Sequence, residues 1–450
     1  MKQLKRIFFI ILSITSILFF CSDDEDSNNN SAISELSKQA DFYIISDPHY
    51  YDPELGTSGT AFDNYLAKDR KMIAESEAIM EKTVEMIIAA KPEFVLIPGD
   101  LTKDGEKTSH EKFSLFLKEL EDNGIDVFVV PGNHDVNNPE SYSYSGETAV
   151  KVPNISSAEF QEIYYEFGYQ EASSTDPYSL SYLVKYRDDL WILGTDPCLY
   201  EQNTEGEYSI TKGEYKQGTL DWISARLEEA QNAGAVVLAM AHHGIIPHWT
   251  MQKQLFSDYV IENWESVSSQ FAAAGLKIVF TGHFHAQDIV KKEFDNGNFL
   301  YDVETGSLVS YPCPLRKISI HTNLEMTVNS ILIESINYDL KGKTFQAYSK
   351  DYLLEGLVIT VTSILKNPLY NVSDEEIQTI LPLLITAMTD HYQGDEVMNP
   401  EYNQLITDSL INTVSPSKQM LGLALQSIWN DPPPADNEVK ISLKTGAVLQ

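Results

Sequence analysis

Five short clusters in the chain carry side chains able to hold metal ions, and each follows a hydrophobic run. They are Ser46-Asp47-Pro48-His49, Gly99-Asp100, Gly132-Asn133-His134-Asp135, His242-His243 and Gly282-His283-Phe284-His285. A lone Asp-x-His pair or a Gly-Asp turn carries little meaning, since both are common turn chemistry. Gly-Asn-His-Asp directly after Val-Val-Pro is much rarer, and so are histidines two apart at a strand end. Together the clusters offer enough carboxylate, imidazole and amide donors for two adjacent divalent cations, a mixture suited to Fe, Mn or Zn. Two such ions point to metal-assisted hydrolysis of a phosphate ester. His110, His248, His321 and His391 have no such company and are expected to be ordinary core or surface residues.

An alternation of strands and helices positions the clusters. Phe42 to Ser46, Phe94 to Ile97 and Val127 to Val130 read as strands whose ends deliver Asp47 and His49, then Asp100, then Asn133 to Asp135. Residues two apart on a strand face alike, which puts Asp47 and His49 on one side. Between them, Lys68 to Ala90 has an amphipathic helical pattern stopped before Pro92, and His110 to Asn123 reads as a helix closed by Gly124. This rhythm predicts an α/β sheet with right-handed crossovers and a site beyond its carboxyl ends.

Farther on, Tyr182 to Tyr186 and Leu190 to Gly194 flank Arg187-Asp188-Asp189 as a hairpin, and Thr219 to Gly234 is helical. Val236 to Met240 and Lys277 to Phe280 lead into the two histidine clusters, and Tyr301 to Glu304, Ile318 to His321 and segments near 325 to 348 read as later strands. Two stacked sheets with helices outside them is the economical architecture for residues 41–350. Residues 351–431 are helical only, with a Ser373–Glu376 capping box, a kinking Pro382 and Ser415-Pro416 as a cap and first-turn proline. They predict a small all-α bundle, with residues 432–450 left as a tail.

Composition narrows the ligand. The 450 residues include 66 acidic and 32 basic ones, a net charge of −34, and such a field repels long polyanions, so a general nucleic-acid role is disfavoured. A small phosphorylated substrate needs only the metals to offset that repulsion. At the N-terminus Lys2, Lys5 and Arg6 precede an apolar run from Ile7 to Phe20, the pattern of an export signal over residues 1–20. The run ends at Cys21, and an acidic linker follows to residue 40, beginning Ser22-Asp23-Asp24-Glu25-Asp26. The arrangement resembles a bacterial lipoprotein signal, whose cysteine becomes the lipidated first residue, and the acidic run resembles a surface-export signal. The expectation is an exported, lipid-anchored protein held at a membrane through Cys21, with no protein partner legible. Cys198 and Cys313 are the remaining cysteines and could form a disulfide in an exported chain.

The set Asp47-x-His49, Gly99-Asp100, Gly132-Asn133-His134-Asp135, His242 and Gly282-His283-x-His285 resembles the calcineurin-like metallophosphoesterases, over residues 41 to about 310. That resemblance implies a four-layer αββα sandwich and two divalent metal ions. One ion would be held by Asp47, His49 and His285, the other by Asn133, His242 and His283, with Asp100 bridging. His242 is preferred to His243 because the family uses the first of the pair. His134 matches the family's non-ligand catalytic histidine, with Asp135 as its orienting partner.

Departures narrow the subgroup. The stretch Gly99-Asp100-Leu101-Thr102-Lys103-Asp104-Gly105 lacks the arginine that serine/threonine phosphatases of this family carry, and has Lys103 where purple acid phosphatases place a tyrosine ligand. With Arg70-Lys71-Met72 upstream, it is similar to class III cyclic-nucleotide phosphodiesterase-like enzymes of an exported bacterial subgroup. A phosphodiesterase acting on a small nucleotide-like or other small diester is therefore expected. A phosphomonoesterase is the alternative within enzymes, and a surface binding protein with a structural metal site the alternative outside them.

Overall fold

The computed structural model describes residues 35–67, 69–366, 372–430 and 432–449. The export segment, Cys21 and most of the acidic linker lie outside these residues. In chain order the strands are β1 (Ala40–Ile44), β2 (Phe94–Pro98), β3 (Asp126–Val130), the short pair β4 (Tyr142–Ser143) and β5 (Val150–Lys151), β6 (Ala172–Thr175), β7 (Tyr182–Arg187) and β8 (Leu190–Thr195). There follow β9 (Val236–Ala241), β10 (Ile278–Thr281), β11 (Asp288–Glu293), β12 (Phe299–Glu304), β13 (Pro314–Ile320), β14 (Glu325–Leu332), β15 (Glu438–Ser442) and β16 (Val448–Leu449). One sheet runs β16-β15-β14-β13-β1-β2-β3 and the other β11-β12-β10-β9-β8-β7-β6. β1, β2 and β3 are mutually parallel, and so are β8, β9, β10 and β12.

Side-chain alternation builds the layers. Leu190 and Ile192 of β8 enter the core between the sheets, whereas Trp191 and Leu193 pack with Ile223, Leu227 and Phe271 of the helices Gln217–Ala233 and Trp264–Ala273. Between the sheets, the Phe42 ring stacks on Phe94 at 4.6 Å and meets Phe280 of the opposite sheet edge-on at 5.6 Å. Helices Ser76–Ala90 and Lys107–Asp122 pack Val84, Ile87, Phe113 and Leu117 onto the first sheet. The result is the expected αββα sandwich.

Three stretches differ from the sequence reading. The first concerns residues 69–75, which are not helical: the helix begins at Ser76, and a separate helix occupies Thr60–Leu66. The Asp69 carboxylate accepts the backbone N–H groups of Arg70 at 2.6 Å and Lys71 at 3.0 Å, and the Met72 N–H goes to the Val309 carbonyl at 2.8 Å. Those bonds replace helical ones and leave Arg70 and Lys71 on a loop.

The second is the start of the helical region, at Phe345, within a stretch read as strand; the helices are Phe345–Leu365, Asp374–Gln393, Pro400–Ile406 and Pro416–Ile428. The Ser373–Glu376 capping box forms, and Pro416 opens the last helix, but the Ser415 side chain makes no capping bond. The third is the tail. Residues 438–449 form β15 and β16, and Val439 and Ile441 are buried as β15 pairs with β14. A five-residue alternation after three prolines is too short to read as a strand until β14 supplies its partner.

The helical region is not a separate unit. Its core residues Leu357, Leu384 and Leu425 cluster with Trp249, Phe284 and Ala286, and contacts make residues 33–450 one compact body. Cys198 and Cys313 are both buried free thiols. Among the described residues no helix is long and apolar enough to cross a membrane.

Candidate metal centre

All five clusters converge beyond the carboxyl ends of β1, β2, β3, β9 and β10, the strands of the two parallel blocks. Asp47, His49, Asp100 and His285 have donor atoms within 4.8 Å of one another, and Asp100, His242 and His283 form a second such set. Asp100 belongs to both. Its Oδ2 lies 3.6 Å from His49 Nε2 on one side and 3.2 Å from His242 Nε2 on the other. His49 Nε2 and His285 Nε2 face each other at 3.1 Å, with Asp47 Oδ1 3.4 Å from the latter. Asn133 Oδ1 lies 3.1 Å from His242 Nε2, which brings the amide into the second set.

The donors fit cations. Burial, with the Lys71 charge, holds His49 well below the ordinary histidine range, and burial does the same to His283, so both rings present lone pairs. The His242 Nδ1–H donates to the Pro98 carbonyl at 2.9 Å and the His283 Nε2–H to that of Asp258 at 3.2 Å, which aims the other nitrogen of each ring inward. Burial pulls His242 down as well, but Asp100 outweighs it and raises the ring to about 9. A proton or a metal cation satisfies that field.

Backbone strain tells the same story. Asp47, His49, Asp100, His283 and His285 all have positive φ, between 39° and 77°. Such conformations cost on the order of 1–3 kcal/mol each and persist where the surrounding structure imposes them. Close approach explains the neighbouring glycines. A Cβ on Gly132 would lie 2.1 Å from Asp100 Oδ1, and one on Gly282 2.0 Å from Ser46 Oγ and 2.4 Å from Asp47 Oδ2.

A family model described as calcineurin-like phosphoesterase matches residues 40–287, more than half of the chain. The chain belongs to the calcineurin-like phosphoesterase family. It is accordingly a metal-dependent phosphoester hydrolase, and the seven residues above are its candidate ligands. No curated protein sequence matches the chain. Among solved structures, a dimetal phosphatase from Danio rerio is similar at 15% identity and a TM-score of 0.47, over 65% of this chain and 95% of that one. The purple acid phosphatase PPD1 from yellow lupin seeds is similar at 11% identity and a TM-score of 0.43, over 66% of this chain and 52% of that one.

Around the ligands of this calcineurin-like phosphoesterase, one sequence expectation changes. His134 lies at the site with its side chain 24% exposed and its Nε2 4.0 Å from Asp100 Oδ2. Its orienting partner is Asp104, not Asp135: His134 Nδ1 sits 2.7 Å from Asp104 Oδ1. Asp135 instead accepts the backbone N–H groups of Leu101, Thr102 and Gly132 at 2.8–3.0 Å, tying the β2 and β3 loops together. Residues adjacent in sequence at this turn point apart, so proximity along the chain misled.

Lys103 turns away from the centre. Its ammonium is buried against Asp104 and 3.2 Å from Glu106, with the Tyr65 ring centroid 4.5 Å away. It therefore buttresses Asp104. The His243 Nε2–H donates to the Thr211 carbonyl, 2.8 Å away, and the residue lies outside both donor sets. His110 is the core residue expected, bonded to Tyr164 and Thr102. His248 and His391 are also core, but lie in a buried ionic cluster with Asp288, Asp302, Glu304 and Glu396. One cation near the centre was missed as a site residue: Lys71, whose charge reaches His49, His134 and His285 from the loop before Ser76.

Proposed function

We propose that this phosphoesterase is a phosphodiesterase acting on a small phosphodiester, nucleotide-like or otherwise. The observation that carries the reading is the disposition of cations. Lys103 is neutralised in its buried pair, and among the described residues Lys71 and Arg70 are the lysine and arginine whose charges reach the ligand candidate His285. A diester carries one negative charge and a monoester up to two, so a site this sparing in cations favours the diester.

Asp47, His49, Asp100 and His285 would hold one divalent ion, and Asp100, Asn133, His242 and His283 the other. The pair would supply Lewis acidity toward the phosphoryl oxygens and a lowered pKa for water. The protein's own residues account for the rest. Asp100 is the shared carboxylate that keeps the two donor sets together. The His134 Nδ1–H donates to Asp104, leaving Nε2 to carry the proton that a departing alkoxide requires. Burial pulls His134 down, but Asp100 and Asp104 outweigh it, so the ring keeps its proton above the ordinary histidine range. Lys71, paired loosely with Asp69 at 3.7 Å, is available to a phosphate oxygen.

The test compares kcat/KM on bis(4-nitrophenyl) phosphate and 4-nitrophenyl phosphate with the metal-loaded chain. The diester should lead, and a monoester hydrolysed as well or better would overturn the reading. We propose also that lipid on Cys21 holds the enzyme to a membrane after export. Labelling of the chain by a fatty-acid probe in cells, lost in Cys21→Ser, is expected; equal labelling of the variant would refute it.

A further inference from the structure

We infer that the substrate phosphodiester carries an apolar arm, an alkyl or acyl chain, seated in a cavity between the last metal-ligand loop and the helical region; this rests on the phosphodiesterase reading above. The cavity has a volume of about 320 Å³. Its polar end adjoins the metal centre. Phe284, between the ligand candidates His283 and His285, forms part of the wall, and so does Tyr259, whose ring centroid lies 4.6 Å from that of His283. Arg70 lines the cavity together with Tyr259 and Tyr392, and its charge reaches His285.

The rest of the wall is mostly hydrocarbon, with Leu357, Val361, Leu384, Met388 and Leu425 on three separate helices. Apart from Arg70, Tyr259 and Tyr392, Thr360 is the one further polar side chain on the wall among the described residues. A nucleobase needs several placed donors and acceptors in its pocket, and this wall does not offer them. An apolar cavity of ~150 Å³ already takes a benzene ring and stays dry, so this one has room for a chain of several carbons. A guanidinium on the wall, the metal donors beside it and an otherwise aliphatic lining match a molecule with phosphate at one end and hydrocarbon at the other. The bundle thereby acquires a role: it supplies the walls that the two sheets lack.

Calorimetric titration of the metal-loaded full chain with methyl phosphate and octyl phosphate tests this, in parallel with hydrolysis of methyl and octyl 4-nitrophenyl phosphate. Octyl phosphate, below its micelle concentration, should bind more than about tenfold tighter than methyl phosphate. Ala424→Phe fills the cavity from its buried wall and should abolish that preference. Thr360→Phe, from the half-buried edge, provides the same filling should the first variant not fold. Equal binding of the two phosphates by the wild type overturns the inference, as does a preference that survives both fillings. Hydrolysis of neither nitrophenyl diester, with the chain-length preference intact, overturns the phosphodiesterase reading alone.

Discussion

Asp104 Oδ1 lies 2.7 Å from His134 Nδ1, so the site's partly buried histidine is oriented by a carboxylate from the β2 loop and not by its own neighbour Asp135. The pair has a pH consequence. A histidine that must donate a proton loses activity as pH rises through its pKa, and here Asp100 and Asp104 hold that pKa up against burial. Asp104→Asn removes one of the two supports, so the alkaline fall in kcat should move to lower pH. His134→Ala should remove the limb and lower kcat by about 10²-fold or more. An unmoved alkaline limb in Asp104→Asn would assign the proton to another group.

Asp100 is the residue common to both donor sets. Asp100→Ala should lose both ions and all hydrolysis while the circular dichroism spectrum stays native. His134→Ala should retain both ions, as measured by elemental analysis of the purified protein. Full activity in Asp100→Ala with one ion lost would sink the two-metal arrangement, and loss of metal from His134→Ala would make that residue a ligand.

Lys71 is expected to act on substrate binding. Hydrogen bonds to charged groups contribute about 1.5–3 kcal/mol, so Lys71→Ala should raise KM roughly tenfold or more with metal content unchanged. A fall in kcat alone, at constant KM, would contradict a ground-state contact with phosphate.

Gly132 tests how tightly the β3 loop approaches Asp100. A methyl group there would overlap Asp100 Oδ1, at 2.1 Å. Gly132→Ala should weaken metal affinity by about 10–100-fold, the range seen when groups supporting metal ligands are disturbed. Metal affinity equal to wild type would show that the loop has room the structure does not suggest.

Far from the site, burial raises the Glu121 carboxyl from its ordinary range to about 7. A carboxyl with a raised folded-state pKa lends stability below its unfolded value, near 4.5, and loses it as pH rises through about 7. Glu121→Gln mimics the protonated form and can still accept the Val127 N–H. Relative to wild type, its melting temperature should be unchanged near pH 4.5 and higher at pH 8. The same difference at both values would remove the titration from the explanation.

The donor residues were legible because their chemistry is local. Asp47, Asp100, Asn133 and the histidine pairs each stand directly after a hydrophobic strand, and parallel strands ending at one edge must deliver those residues together. The order of strands and helices gave the sandwich for the same reason. Pairings over long distances were not legible. Nothing in the chain ties Asp104 rather than Asp135 to His134, because the direction of a side chain at a turn depends on φ and on which backbone N–H groups lie within reach. The loop at 69–75 looked helical until Asp69 and Val309 claimed its N–H groups, and β15 looked like a tail until β14 paired with it. Residue type and spacing are enough to specify a metal-dependent phosphoester chemistry. Which cations stand beside the donor sets, which carboxylate orients His134 and which walls enclose the neighbouring cavity come from packing between segments far apart in the chain.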